Sequence, residues 1–401
     1  MTLLDLDRDP SPRSERGWTG SGAWMADPGF GVYVHIPFCR HRCNYCDFNT
    51  YEGQDGLHDL YVEALVGEIE RWEGVAPPAT SVFFGGGTPT LLPPRALGRV
   101  LDSIRNRFAI VKGAEVTVEA NPETVDEPTF AALLEGGFNR VSIGVQSLAE
   151  SVLRPLGRTH SAQRALDAIG AARRAGVRSV NADLIYGSPW ENEADWEHTL
   201  HGVLAESPDH VSAYALTVEE GTPLATLVAT GRAPEVDPDV QSARHELAER
   251  LLSHAGLERY EISNWARAGA ASRHNVLYWS AGNYAAFGAG AHGHLEGRRW
   301  WSVKLPRDFI DAVTSGRSAE AGHELLDERA RAAEALVLGL RLRSGVDLSG
   351  FAARFGGGYL DSVRPVLLEL GEWGLVEYDS DYLSLTPRGT MLANEVAYRL
   401  L

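Results

Sequence analysis

Cysteine is scarce in this 401-residue chain: Cys39, Cys43 and Cys46 lie within eight residues, and there is none elsewhere. An odd, clustered set is no disulfide framework and points to a metal site instead. The chain also lacks the roughly 18-residue apolar run that spans a bilayer. Its first 28 residues mix acid, base, Gly, Ser and Pro, without the basic start and apolar stretch of a secretory signal. They read as a flexible tail on a cytoplasmic protein with no integral membrane segment. Positive charge is short as well: 37 Lys and Arg against 54 Asp and Glu leave a net −17, so phosphate would repel the chain and no nucleic acid is an expected partner. Disorder as the dominant state is excluded by a 44% hydrophobic and 23% charged composition. The length fits two or three domains.

What is present is an alternation. Short β-branched or aromatic runs (31–37, 81–84, 115–120, 140–145, 179–185 and 210–216) are separated by patterns of helical period at 57–72, 95–108, 127–134, 161–175 and 195–204. Several runs are almost continuously apolar, as in strands buried on both faces. Gly176 reads as a helix stop. Strands alternating with helices predict βαβ units and a parallel sheet, hence an α/β fold. Six units fit a partial (β/α)6 barrel, with a doubly wound sheet as the alternative. Glu119, Gln146 and Asp183 end or nearly end their strands. The cysteine loop and Gly85-Gly86-Gly87-Thr88-Pro89 follow two others, so in a barrel all five features meet at the C-terminal face, where active sites lie.

Beyond residue 221 the pattern predicts a loop at 232–238, a helix at 238–255 and a short strand at 259–263. A small, flexible piece at 266–271 precedes a Gly/Ala-rich segment, 281–297, which reads as a functional loop region rather than core. From 326 to 401, three helices and a hairpin around Asp379-Ser380-Asp381 predict a small α+β, winged-helix-like module. Such modules often bind DNA, but this one has eight Arg, no Lys and eleven Asp and Glu. The predicted organisation is a tail (1–28), a barrel (29–265), a connecting segment (266–325) and the C-terminal module (326–401).

The cysteine spacing is C-x3-C-x2-C, just after the first strand. Soft thiolates in a tight loop suit zinc, with His41 as a fourth ligand, or an iron–sulfur cube with one iron left open. With an aromatic before the last cysteine, the motif resembles the radical S-adenosylmethionine (SAM) superfamily. Tyr33-Val34-His35-Ile36-Pro37-Phe38-Cys39, Phe84-Gly85-Gly86-Gly87-Thr88-Pro89-Thr90, Glu119-Ala120-Asn121-Pro122, Gly144-Val145-Gln146-Ser147, Leu156-Gly157-Arg158 and Asp183-Leu184-Ile185-Tyr186-Gly187 resemble its oxygen-independent coproporphyrinogen III oxidase group. The resemblance implies a partial (β/α)6 radical SAM barrel. It implies a [4Fe–4S] cluster on Cys39, Cys43 and Cys46, with SAM chelating the open iron. Gly86, Gly87 and Thr88 would approach the SAM amino group and backbone. Glu119, Gln146, Arg158 and Asp183 would contact its remaining polar groups, and Tyr33 would lie beside cluster or cofactor.

The oxidases carry a fourth cysteine two residues after the third, where this chain has Phe48. That replacement, and His274-Asn275-Val276-Leu277-Tyr278-Trp279, resemble the heme chaperone branch of the group. The resemblance implies a protein that binds heme and delivers it to acceptor proteins, with an electron donor for the cluster as a further partner. Imidazole is a common axial ligand of heme iron and Tyr and Trp offer flat faces, so His274 is the expected heme ligand and His292 and His294 its rivals. Oxidative decarboxylation of coproporphyrinogen III to protoporphyrinogen IX stays open as the alternative activity, because the SAM motifs look complete.

Overall fold

The computed structural model describes residues 23–401. Six strands, β1 (Phe30–Ile36), β2 (Ser81–Gly86), β3 (Glu115–Ala120), β4 (Arg140–Gln146), β5 (Ser179–Tyr186) and β6 (His210–Ala215), lie parallel and side by side in chain order. Helices His58–Glu70, Pro94–Phe108, Glu127–Gly136, Ala162–Arg174 and Glu193–Ala205 connect them. Local chemistry sets their ends. Asp126 and Ser161 accept backbone N–H groups as N-caps, and Gly176, at φ +88°, follows the end of Ala162–Arg174 as expected.

The strands are buried on both faces, but not by the same chemistry. Val32, Val34, Ile36, Val82, Phe84, Val118, Ile143, Val180, Leu184 and Val211 face the helices in the main core. Each such side chain contributes about 1.5–3 kcal/mol by leaving water. The opposite parity is largely polar and lies in register across the strands: Ser81 with Glu115, Glu119 with Ser142, Ser142 with Asn181, and Asp183 with Ser212. The expectation of doubly apolar strands is therefore corrected. The strands alternate, and apart from residues such as Phe83 and Ile185 the inner face is a polar lumen.

On one flank, β7 (Glu258–Glu261) pairs antiparallel with β8 (Asn264–Ala266), which pairs antiparallel with β6. On the other, β9 (Asn283–Phe287) lies parallel to β1, followed by an antiparallel meander of β10 (His292–Leu295), β11 (Arg298–Ser302) and β12 (Glu320–Leu325). The resulting 12-stranded sheet ends at β7 and β12 and does not close. The Gly/Ala-rich segment read as a loop is thus mostly strand. Ala285 and Phe287 are core, and Gly288 has no Cβ because one would meet the His35 carbonyl at 2.6 Å. Nor is 266–271 loose: Ala266 and Ala271 are buried, and Arg140 donates to the Ala270 carbonyl.

The C-terminal module has the three expected helices, Glu328–Gly339, Leu348–Phe355 and Gly358–Glu372. Its sheet contains β13 (Val346–Asp347), β14 (Val376–Tyr378) and β15 (Tyr382–Leu385). Two further helices, Pro387–Met391 and Ala393–Leu400, complete it. Leu336, Phe351, Leu367 and Leu383 form its core. Residues 1–22 of the expected tail lie outside the described residues. Its last residues dock instead of hanging free: Trp24 is buried against Phe351, and the Met25 N–H donates to Ser280. Among the described residues no helix is long and apolar enough to cross a membrane.

Candidate functional site

The cysteine loop leaves the C-terminal end of β1 and is fixed by its own backbone. Cys39 N–H donates to the Tyr51 carbonyl (3.0 Å), Tyr51 N–H to Pro37 (2.7 Å), Asn44 N–H to Leu156 (3.0 Å) and Leu224 N–H to Asn44 (2.9 Å). The three thiols are free and half-buried. Burial pushes the Cys39 thiol up to about 11, and that of Cys46 up as well. Thr88 Oγ1 donates to Cys39 Sγ (3.9 Å), and Arg158 Nη1 to Cys43 Sγ (3.4 Å). A cation beside a sulfur offsets the cost of holding thiolates there.

The donor set fits an iron–sulfur cube. Among the described residues no three His, Cys, Asp or Glu side chains are gathered as one metal ion needs. A cube takes each thiolate on a different iron, so its ligands stand apart. His41, the fourth ligand in the zinc alternative, turns to Glu52 at 3.4 Å.

The glycine loop lies beside it. Gly86 has φ +114°, and a Cβ there would meet the His35 ring at 2.5 Å; one on Gly87 would meet the Phe38 carbonyl at the same distance. These glycines therefore let the β2 loop close onto the cysteine loop, which Gly87 and Thr88 clasp through N–H donation to Ile36 and Phe38. Glu119 Oε2 accepts the Gly86 N–H at 3.0 Å. Burial, and secondarily the charge of Asp183, raise the Glu119 carboxyl to about 8. Asp183 accepts from Ser142 (2.6 Å) and Asn181 (2.8 Å), and burial raises its pKa too. Arg158 Nη2 donates to the Gly144 carbonyl (2.7 Å). Gln146 ends β4 at φ +64°, where the pairing with β5 shifts register. A non-glycine residue held there stores about 1–3 kcal/mol of strain, as functional sites often do.

A cavity of about 650 Å³ opens between this loop and β9–β10. Tyr33, Gly86 and Glu119 line it; Gln146, Arg158 and Asp183 do not, Arg158 meeting Cys43 and Asp183 acting on Glu119 from outside its walls. Tyr33 Oη meets His35 Nδ1 at 2.9 Å, and its ring stacks on Phe83. Sequence reasoning missed Arg42, Asn49, Tyr284 and Lys304 in the same walls. Arg42 lies inside the cysteine motif and Asn49 three residues after it, close enough to have been suspected. Tyr284 and Lys304 arrive only through the pairing of β9 with β1.

His274 is elsewhere. The helix Arg273–Trp279 packs against the N-terminal ends of the strands: Glu115 accepts the Arg273 and His274 N–H groups. Inside it, His274 Nδ1 meets Ser81 Oγ at 2.9 Å and Nε2 meets Tyr278 Oη at 2.8 Å. The ring stacks on Phe83, and burial holds its pKa down near 3. Neither nitrogen is free for iron in this arrangement. Tyr278, by contrast, reaches the cavity wall.

Comparison with known proteins bears on this geometry. The radical SAM superfamily model matches residues 33–203, and the HemN C-terminal domain model matches residues 326–392. The chain is 42% identical to the heme chaperone HemW of Mycobacterium tuberculosis over 382 residues, 94% of this chain and 96% of that protein. It is 36% identical to HemW of Bacillus subtilis over 91% and 97%. The structure of the Escherichia coli coproporphyrinogen III oxidase HemN, a radical SAM enzyme, superposes with a TM-score of 0.80 at 22% identity, covering 95% of this chain and 92% of that one; that likeness is one of fold. With its open sheet of parallel strands, its cysteine loop and its near full-length similarity, the chain belongs to the HemW family of radical SAM proteins.

Proposed function

We propose that the protein binds heme and passes it to acceptor proteins, and that it carries a [4Fe–4S] cluster on Cys39, Cys43 and Cys46 with SAM at the open iron. The observation that carries this reading is the near full-length identity with heme chaperones, 42% over 94% of the chain. When bound, cluster and SAM would supply one-electron chemistry. The chain's own residues would hold and insulate them. Arg158 and Thr88 stabilise sulfur charge at Cys43 and Cys39. Glu119, kept largely neutral by burial, is poised to ionise against an incoming ammonium. Gly86, Gly87 and Thr88 hold the loop against β1.

A second reading, oxidation of coproporphyrinogen III, is favoured by the intact polar lumen around Glu119 and Asp183. One anaerobic experiment separates the two. Cluster-reconstituted protein is given SAM, reductant and coproporphyrinogen III, and then titrated with heme. The chaperone reading expects no protoporphyrinogen, about one heme per chain and transfer of that heme to an apo-hemoprotein. Turnover of the porphyrinogen, or absence of heme binding, overturns it.

A further inference from the structure

A second cavity, of about 540 Å³, lies at the seam between the start of β1 and β9 (Gly29, Asn283) and the C-terminal module (Leu338, Phe355). Its size is in the usual range for a cofactor-sized ligand, about 300–1,000 Å³. Resting on the heme-chaperone reading, we propose that heme lodges in this seam cavity, with His294 as its axial ligand and Arg354 facing its propionates.

The two rival histidines are disposed differently. His274 has both nitrogens engaged, by Ser81 and Tyr278. His292 belongs to the other cavity and stacks on Trp301. His294 sits on β10 opposite Tyr284 and lines the seam cavity. Its Nδ1 is 3.3 Å from the Gly282 carbonyl, while Nε2 has no hydrogen-bond partner among the described residues. One nitrogen anchored on a backbone carbonyl and the other left as a lone pair is how metal-bound imidazoles are oriented. Burial favours the neutral ring that a metal requires.

The walls suit a flat, amphipathic, dianionic ligand. Tyr278, Trp279, Tyr284 and Phe355 supply aromatic faces. The Trp279 indole N–H is buried without a partner, which a polar edge of the ligand would satisfy. Arg299 and Arg331 already pair with Glu334 and Glu296. Arg354 lies over the Phe355 ring at 4.7 Å and donates to the Ser280 and Ala281 carbonyls, but it makes no ion pair among the described residues, so its charge is left to a carboxylate. Tyr278 and Tyr284 line both cavities, forming a shared partition between the seam and the cysteine-loop cavity.

The test is a hemin titration of the full-length protein, followed by absorption and electron paramagnetic resonance. His294→Ala is expected to weaken binding roughly tenfold or more and to abolish the nitrogen-ligand signature, with exogenous imidazole restoring it in His294→Gly. His294→Gln, which keeps volume and polarity, gives the same loss and guards against a folding defect. Arg354→Gln weakens binding without changing the ligand signature, whereas His292→Ala changes neither. Wild-type affinity and spectra in both His294→Ala and His294→Gln would overturn the assignment. Absence of any heme band in the wild-type protein would overturn the heme reading itself, a separate outcome.

Discussion

His274 Nε2 stands 2.8 Å from Tyr278 Oη, one helical turn along the same helix, while Ser81 Oγ takes the other ring nitrogen at 2.9 Å. The pair locks the helix Arg273–Trp279 onto the polar end of the lumen and sets the ring that separates two cavities. His274→Ala is therefore expected to act on stability first. It deletes a buried ring and leaves two hydroxyls without their partner, at a cost of about 2–4 kcal/mol. Urea unfolding measures this. The nitrogen-ligand signature of bound heme is expected to persist; its loss, with the fold intact, would return the ligand role to His274.

Arg158 places a guanidinium 3.4 Å from Cys43 Sγ. A cluster gains negative charge on reduction, and a nearby cation favours that state. Arg158→Gln is expected to shift the reduction potential of the reconstituted cluster to more negative values while iron content stays near wild type. A reductive titration followed by electron paramagnetic resonance checks this. An unchanged potential would mean that the guanidinium serves only the Gly144 carbonyl.

Cys43→Ser is expected to abolish the cluster and leave the fold and heme binding in place. The loop is anchored by backbone bonds to Leu156, Tyr51 and Pro37 rather than by sulfur, and none of the cysteines lines the seam cavity. Iron and sulfide analysis, a thermal melt and a hemin titration on one sample decide it. Joint loss of cluster and heme affinity would show that the two sites are coupled through the Tyr278–Tyr284 partition.

The six parallel strands and their helices were legible because alternation and helical period are local signals. So were the cysteine loop and the carboxylates at strand ends. The polar lumen was legible only in part: Ser142, Asn181 and Ser212 read as interruptions of apolar runs until their neighbours in register are known. Strand β9 was missed because Asn283–Phe287 is small and Gly-flanked, and its partner β1 lies about 250 residues earlier. The sequence displays the His274 motif but not Ser81, 193 residues away, which meets its Nδ1. Trp24 was assigned to a tail by its polar surroundings, although Phe351 and the C-terminal module bury it.

Glu119 carries a pH signature. Its carboxyl is raised from the usual 4.5 to about 8, chiefly by burial. Between those values the folded protein keeps a proton that the unfolded chain has released. Stability therefore falls as pH rises through this window, and the loss levels off above about 8. In Glu119→Gln this contribution disappears, while the amide oxygen can still accept the Gly86 N–H. The variant's stability is expected to fall less steeply with pH, by up to about 1.4 kcal/mol per pH unit. Buried Glu68 and Glu191, raised to about 8 and about 7, leave a residual slope in both proteins. Urea denaturation at several pH values across the window compares the slopes, and parallel curves would show that Glu119 is ionised throughout. The same measurement reaches the proposed cofactor. An ammonium brought to Glu119 would pull its pKa back down, so saturating SAM on the reconstituted wild-type protein is expected to flatten the slope as the substitution does, and to leave that of Glu119→Gln unaltered.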